Sequence, residues 1–387
     1  CGSGNFLTET YLSLRRLENK VLALLVEAAR KQVTGQIMLG GGGDMNPIQV
    51  SIGQFYGIEI NDFAVTVART ALWIAESQMM KETEDVVHMP LDFLPLRSYA
   101  NIIEGNALRL DWESVVPKYK LNYIMGNPPF VGGMMMTREQ HDELEKAFPE
   151  CEKVGEVDYV AGWYAKASKL IQGTTIRCAF VSTNSICQGQ SVAAVWKPLF
   201  AEHIHIDFAH RTFRWDSEAK LKAHVHCVIV GFSVVPNNQK KIIYTSERPM
   251  EADNINGYLL DAENVFINNR NEPLCDVPKM KFGSMPRDGG GFVLNEEEKD
   301  ALIASEPISK KWVHLYLGAE EFINNKKRYC LWLVNASPNE LRSCKEVMRR
   351  IEAVRTFRAN SKAAATRKFA ETPTLFCQVA QPDTDYI

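Results

Sequence analysis

Residues 127–130, Asn-Pro-Pro-Phe, combine polar and aromatic groups in a way that suits a planar amine. Asn127 offers an amide oxygen as an acceptor, and the Pro128 carbonyl is a second acceptor because Pro129 has no N–H to engage it. Phe130 adds a flat apolar face. These residue types predict a site that holds an amino group attached to a ring. A proline-capped strand end without a function would give the same pattern, so the segment alone leaves both interpretations open.

A predicted strand must position these groups. The apolar run at residues 121–125 has strand-like composition and stops at Gly126. Two successive prolines cannot continue a strand ladder or enter a helix interior. The sequence therefore predicts a stiff loop at the end of a strand.

A second group of candidate residues opens the chain. Gly2 and Gly4 precede an amphipathic pattern at residues 7–25 that predicts a long helix. Glycines allow a ligand to approach the backbone, and a helix N-terminus offers unpaired N–H groups. Leu7 occupies the place of the third glycine in GxGxxG, which disfavours a nicotinamide cofactor. The pattern predicts a turn for another nucleotide-like ligand.

Polar residues follow the next two predicted strands. Residues 55–60 read as a strand ending near Glu59, in the position where an acid grips a ribose diol, although an exposed strand-end carboxylate is the alternative. In residues 102–110, Asn106 can hydrogen-bond a purine edge, with Leu108 against the ring. The sequence predicts that these loops converge at the carboxyl ends of parallel strands.

The rest of the first half adds strands rather than helices. Strand-like runs at residues 176–182, 203–208 and 225–232 predict a seven-stranded mixed sheet closed by an antiparallel hairpin, and hence an α/β fold. Polar turn residues near 236–241 mark a boundary, which predicts domains at residues 1–237 and 238–387.

Composition narrows the class of protein. The chain of 387 residues is long enough for two domains, and its nine cysteines are scattered without CxxC pairs or zinc-ligand spacing. This pattern predicts reduced thiols in a cytoplasmic protein without a metal site. The absence of a run of eighteen apolar residues disfavours membrane spanning and secretion. Because Cys1 opens directly into the glycine turn, we expect a fragment of a longer polypeptide.

Positive charge is concentrated near the end of the chain. Residues 339–371 hold nine Lys or Arg and four acidic residues, a charge of +5, while the net charge of −3 leaves −8 for the remainder. A basic stripe on an acidic body indicates a local contact with phosphate, although a solvated helix face is the alternative.

The motifs CGSGNF, YGIEIN, EGNAL and GNPPF, in this order, resemble those of amino-methyltransferases that use S-adenosylmethionine. Their order, followed by a carboxy-terminal recognition region, is similar to the gamma class of DNA adenine-N6 methyltransferases. Segments such as AFVSTNSI, FAHRTFRW and QPDTDY resemble the MmeI-like fused restriction-modification enzymes more closely. The resemblance implies a Rossmann-like methyltransferase sheet with helices on both faces and a C-terminal α+β target recognition domain.

The resemblance also implies roles for individual residues. Glu59 would bind the ribose hydroxyls of S-adenosylmethionine and Asn106 its adenine ring. Asn127 and the Pro128 carbonyl would accept hydrogen bonds from the target amino group, and Phe130 would stack on the target base. The implied cofactor-binding residues are Cys1, Gly2, Gly4, Phe6, Glu59, Ile60, Asn106, Ala107 and Asn127. The acidic or polar residue and proline that precede CGSG in the family are not in this sequence.

The implied activity is site-specific methylation of the N6 amino group of a flipped adenine in double-stranded DNA. An upstream part of the polypeptide, with a nuclease and a helical linker, is an expected partner. The alternatives are methylation of RNA or of a protein amide, and a non-catalytic DNA-specificity subunit. The predicted DNA-binding residues are four arginines for phosphate and a glutamine for base edges, namely Arg349, Arg350, Arg355, Arg358 and Gln378.

Overall fold

The structure, a computed structural model, describes residues 1–31, 48–88, 101–215, 225–235, 240–267, 272–277 and 282–381. Its contacts divide the chain into two compact units, Cys1–Asn269 and Arg270–Ile387. The predicted domain boundary between residues 237 and 238 falls outside the described residues and stays a prediction.

Helices and strands are interspersed along the sequence of the first unit. The described helices are α1 Asn5–Lys31, α2 Asp62–Val87, α3 Trp112–Val115, α4 Arg138–Ala147, α5 Ala161–Leu170 and α6 Ser191–Ala201. The described strands are β1 Tyr56–Glu59, β2 Asn101–Glu104, β3 Tyr123–Gly126, β4 Arg177–Thr183, β5 His205–Trp215, β6 Val225–Ser233, β7 Lys241–Tyr244 and β8 Pro249–Ala252.

These eight strands form two sheets rather than the predicted single sheet of seven. β1 and β2 pair in parallel, and the other six are ordered β3-β4-β6-β5-β7-β8. The β3–β4 and β5–β7 pairs are parallel, whereas the remaining pairs are antiparallel. The prediction of one sheet was wrong for the described residues. β1 and β3 were expected in the same sheet, but among the described strands β1 pairs only with β2 and β3 only with β4.

Each sheet has its own apolar core. The paired strands β1 and β2 pack with α1 and α2 through a cluster that includes Tyr11, Leu72 and Ile102. The six-stranded sheet packs on α5 and α6 through an aromatic group in which the Tyr164 ring stacks on Phe232 at 5.2 Å and meets Trp196 edge-on at 5.6 Å. The polar loops at the strand ends are therefore carried by two packed apolar cores.

The second unit is an α+β fold around a small antiparallel sheet. Its described strands, in the order β10-β11-β9, are β9 Val293–Leu294, β10 Val313–Tyr316 and β11 Arg328–Leu331. Its described helices are α7 Glu296–Ser305, α8 Ala319–Asn324, α9 Pro338–Ser343, α10 Lys345–Ala359 and α11 Ala364–Lys368. The Phe292 and Phe376 rings stack at 5.8 Å in its core.

Candidate active site

A large cavity in the first unit collects the polar residues that the sequence singles out. Its volume is about 1590 Å³, and the carboxyl ends of β1, β2 and β3 and the start of α1 line it. The lining includes Glu59, Asn106 and Asn127, three residues that are far apart in the chain. The predicted convergence of loops at one edge is therefore present in the structure.

The two glycines of the opening turn have different structural roles. Both have positive φ, +59° at Gly2 and +86° at Gly4. Gly2 lines the cavity, and a Cβ added there would meet no atom within 4 Å. Gly4 is buried, and a Cβ there would lie 2.8 Å from the Ala68 Cβ of α2. Gly4 is thus required by the contact between α1 and α2, while Gly2 leaves open space beside the cavity.

The Glu59 carboxylate fastens the end of β1 to the opening turn. Its Oε2 accepts from the Gly2 N–H at 2.6 Å and from the Cys1 backbone nitrogen at 2.9 Å, and its Oε1 accepts from the Asn61 N–H at 3.2 Å. Burial opposes ionisation, but these hydrogen bonds outweigh it and hold the pKa of Glu59 below its ordinary value. Glu59 is therefore an anion that faces the cavity with oxygen lone pairs to spare.

Residues 105–110, here called the asparagine loop, follow β2. The Asn106 Oδ1 accepts from the Leu108 N–H at 2.9 Å, and its Nδ2 donates to Glu143 Oε1 at 3.0 Å. The Ala107 carbonyl accepts from Trp112 Nε1 at 2.8 Å. These bonds fix the loop with Asn106 and Ala107 at the cavity wall.

Leu108 does not occupy the predicted position against a ligand ring. It is buried in the core below the cavity, where its Cδ1 would lie 3.0 Å from a Cβ added at Gly162 of α5. The expectation was wrong because the tight turn at Asn106 directs the leucine into the sheet core.

Residues 127–132, here called the proline loop, follow β3. Asn127 is exposed, Pro128 is buried and Phe130 is half-buried. The cavity lining includes Asn127 and Pro128, whereas Phe130 lies outside it. Downstream, the Val131 carbonyl accepts from the Tyr159 N–H at 2.9 Å. The loop is therefore held at both ends, by β3 and by the segment that leads into α5.

The remaining predicted cofactor residues also lie at the cavity. Cys1, Phe6 and Ile60 are part of its lining. The N-terminus of α1, at Asn5, is in the same wall, as expected for a helix that begins at a ligand site.

Sequence reasoning missed a polar cluster behind Asn106. The Glu143 carboxylate accepts from Arg109 Nε at 2.6 Å and from the Tyr159 hydroxyl, in addition to Asn106. A capping box between Thr137 and Gln140 starts α4 and places Glu143 one turn later. Burial opposes ionisation of Glu143, but the three hydrogen bonds keep its pKa below its ordinary value. The members of this cluster are scattered along the chain. The local signal in the sequence was an acidic residue about one helical turn after a capping box.

Asp158 forms a second missed contact near the proline loop. Its carboxylate accepts hydrogen bonds from the hydroxyls of Thr183 and Ser185, and its Oδ1 would lie 3.6 Å from a Cβ added at Gly132. Ser185 is therefore linked through Asp158 to the end of this loop.

The four predicted phosphate-binding arginines lie on α10 of the second unit in unlike surroundings. Arg349 and Arg355 have side chains 68% and 52% exposed, each paired with a glutamate three residues earlier. The side chain of Arg350 is only 13% exposed and donates to the Gly291 carbonyl at 3.3 Å. Arg358 is fully buried and donates to five backbone carbonyls. The predicted phosphate contact of Arg358 does not fit this position, because its donors are directed into the fold.

Gln378 is half-buried in the second unit. Its backbone pairs with Met285 in both directions, at 2.9 and 3.2 Å, and its Nε2 lies 3.4 Å from the Phe282 carbonyl. The predicted contact of Gln378 with base edges stays a prediction.

Across the described ranges, no three His, Cys, Asp or Glu side chains are grouped so as to hold a metal ion. Among the helices that the structure describes, none is both long and apolar enough to cross a membrane.

A cavity at the carboxyl ends of parallel strands, with a glycine turn, a strand-end acid and an Asn-Pro-Pro-Phe loop, defines an α/β methyltransferase. The MmeI DNA-methyltransferase domain profile matches residues 1–245, and the MmeI target recognition domain profile matches residues 261–387. The chain belongs to the MmeI family of DNA methyltransferases.

Two relatives cover nearly the whole chain. DNA methyltransferase A of Bacillus subtilis (strain 168) is 36% identical over 379 residues, which are 97% of this chain and 42% of the relative. The solved structure of the Type IIL restriction-modification enzyme MmeI in complex with DNA is 41% identical, with a TM-score of 0.85 over 99% of this chain and 51% of that chain. This chain therefore spans about half the length of these relatives or less.

Proposed function

We propose that this protein transfers a methyl group from S-adenosylmethionine to the N6 amino group of an adenine flipped out of double-stranded DNA, as part of a restriction-modification enzyme. The observation that carries the proposal is that one cavity joins Gly2 and Glu59 on one wall to Asn127 and Pro128 on the other. A nucleotide-type donor and a planar amine can therefore meet in it.

The residues present fit this cofactor. Glu59 is an anion at the end of β1 and can accept from the ribose hydroxyls. Asn106, Ala107 and Ile60 line the wall where the adenine would lie. These walls belong to one cavity of about 1590 Å³, part of which the upstream strand proposed below would fill.

The proline loop would activate the target amino group by holding it in position. The Asn127 Oδ1 and the Pro128 carbonyl would accept hydrogen bonds from the two N6–H groups, which would turn the nitrogen lone pair out of conjugation with the ring. When bound, the cofactor would supply an electrophilic sulfonium methyl group, held in place by Glu59 and Asn106. N6 would displace the sulfur from that methyl carbon, with the electron pair of the C–S bond staying on sulfur and one N6 proton passing to solvent. No covalent enzyme intermediate is required.

The target adenine must leave the duplex to reach the cavity, at a cost of a few kcal/mol. Phe130 lies two residues after Pro128 and outside the cavity lining, so its half-buried ring would have to turn toward the cavity to stack on the flipped base. The MmeI relative is described in complex with DNA, which supports the same partner here.

The second unit would bind the duplex beside the target. Arg349 and Arg355 are exposed cations on α10 that can exchange their glutamate partners for phosphate. Gln378 is the proposed base-reading residue, since glutamine matches the hydrogen-bonding edge of adenine.

We also propose that an upstream part of the polypeptide completes the sheet. Among the described strands, β1 pairs only with β2 and β3 only with β4, both in parallel, and both strands line the cavity. A strand placed between them would satisfy both edges and join the two sheets. A chain extended upstream of Cys1 should bind the cofactor more tightly and should protect the β1 and β3 amides from exchange. Unchanged exchange of these amides would contradict this proposal.

The central test is transfer of labelled methyl from S-adenosylmethionine by the full-length protein. Duplex DNA with adenine should be labelled, while adenine-free duplex, RNA and protein should not. Asn127→Ala should lower the single-turnover rate by about 10²-fold or more, by analogy with removal of one charge-stabilising group. Asn339→Ala, an exposed change on α9, is the control. Labelling of RNA or protein alone, or full activity of Asn127→Ala, would overturn the proposal.

A further inference from the structure

Tyr159 contacts both loops that line the proposed site. Its backbone N–H donates to the Val131 carbonyl of the proline loop at 2.9 Å. Its hydroxyl donates to Glu143 Oε2, and Glu143 Oε1 accepts from Asn106 of the asparagine loop at 3.0 Å. A single buried residue therefore connects the wall proposed for the cofactor with the loop proposed for the target base.

The surroundings of Tyr159 make this connection stiff. Its ring is 4% exposed and meets the Trp163 ring edge-on at 5.2 Å. The segment before it also supports the end of the proline loop, because a Cβ at Gly133 would lie 2.5 Å from the Gly155 carbonyl oxygen. Backbone packing this close leaves little room for the loop to move on its own.

Glu143 is the branching point of the connection. One carboxylate receives hydrogen bonds from Asn106, Arg109 and Tyr159, and it is only 9% exposed. Hydrogen bonds to a buried, ionised acceptor are stronger than neutral ones. Loss of the Tyr159 hydroxyl would leave the carboxylate held through Oε1 alone, by Asn106 and Arg109, and would therefore hold Asn106 less firmly.

We propose that Tyr159 and Glu143 are positioning residues that hold the asparagine loop and the proline loop in one geometry, so that cofactor binding and methyl transfer share a support. The inference deepens the proposed function and rests on it. Both residues also line the cavity, and the positioning role is assigned from their hydrogen bonds, which run to Asn106 and to Val131.

The first test needs no ligand. Tyr159→Phe removes only the hydroxyl and keeps the ring packing. Amide hydrogen exchange in this variant should increase in residues 105–110 and in residues 130–133. The matched control is Tyr164→Phe, because Tyr164 is also buried and its hydroxyl bonds Ser182 at 2.8 Å in the sheet core. Equal exchange in the two variants would overturn the inference.

The second test asks whether Tyr159 acts through Asn106. Equilibrium binding of S-adenosylmethionine should weaken about tenfold in Tyr159→Phe, equivalent to about 1.4 kcal/mol, and remain unchanged in Tyr164→Phe. The double variant Tyr159→Phe/Asn106→Ala should bind no more weakly than Asn106→Ala alone. Additive losses would show that the tyrosine does not act through Asn106, and they would refute the proposed coupling.

The third test separates this inference from the proposed function. At saturating cofactor and DNA, Tyr159→Phe should still show a lower single-turnover rate, because the residue keeps its backbone bond to Val131 but loses the hydroxyl bond to Glu143 that anchors it, and so holds the proline loop less firmly. If the unmodified protein binds cofactor but methylates no DNA, the proposed function fails while the exchange and binding tests still decide the inference. If it methylates DNA and Tyr159→Phe behaves as Tyr164→Phe does, only the inference fails.

Discussion

Replacement of Arg358 should unfold the second unit rather than weaken a phosphate contact. Its guanidinium is fully buried and donates to the carbonyls of Pro286 and Leu375 at 2.8 Å and to those of Arg287, Phe369 and Thr372 at 3.1 Å. These acceptors belong to the segment before β9 and to the segments after α10. One side chain thus ties together three stretches of backbone.

The expected loss follows from these contacts. A hydrogen bond from a charged donor contributes about 1.5–3 kcal/mol, and each buried carbonyl left without a donor costs about 1–3 kcal/mol. The contributions are not additive, and removal of one member of a buried charged group typically costs about 3–5 kcal/mol. We therefore expect Arg358→Ala to lower the free energy of unfolding of the second unit by at least about 3 kcal/mol. Arg358→Lys should recover only part of the loss, because an ammonium group has three donors in place of five.

Urea unfolding of the full chain, followed by amide exchange of the second unit, measures this loss. The matched control is Arg349→Ala, an exposed arginine of the same helix whose solvent-screened ion pair should contribute little to stability. DNA affinity would be measured against salt for both variants, each in its folded state. If Arg358→Ala matched the control in stability and reduced the salt slope by about one, the buried position would be wrong and the arginine would be a phosphate contact.

Three further changes test other parts of the structure. Gly4→Ala should lower the unfolding midpoint more than Gly2→Ala, because both need positive φ but only Gly4 meets Ala68; equal losses would discount that contact. Arg355→Gln should reduce the dependence of DNA affinity on salt without changing stability, and an unchanged slope would count against its phosphate role. Glu143→Gln should make the free energy of unfolding depend less on pH in acid. The lowered pKa of Glu143 stabilises the fold at pH values above 4.5, its ordinary pKa, and this contribution is lost as the pH falls through the pKa of the folded state. A variant as acid-sensitive as the unmodified protein would contradict that role.

Short sequence patterns predicted those parts of the site whose geometry depends on neighbouring residues in the chain. Glycine before a helix, an acid at a strand end and two prolines after a strand each restrict the backbone within a few residues. Glu59 and Asn127 were therefore placed at the cavity without knowledge of the fold. The sheet was less predictable, because pairing depends on which strands lie side by side. That β1 and β3 each have a single partner among the described strands is a property of that arrangement.

The sequence of the basic helix α10 contains a helical periodicity that the prediction from charge did not use. The buried residues of α10 are Val347, Ile351, Val354 and Arg358, with spacings of four, three and four. Arg358 thus continues the apolar stripe, while Arg349 and Arg355 lie off it. Charge alone grouped these arginines, whereas helical periodicity separates them. The carbonyls that receive Arg358 come from distant segments, which no local pattern could predict.

The charge states around the cavity bear on how the proposed reaction proceeds. A general base works best when its pKa is near the working pH. The pKa values of Glu59 and Glu143 are both lowered, and their oxygens already accept hydrogen bonds from the opening turn and from the polar cluster behind Asn106. Both carboxylates are thus weak bases committed to holding structure. Neither is suited to remove a proton from N6, so the proposed catalysis depends on the geometry that Asn127 and Pro128 impose.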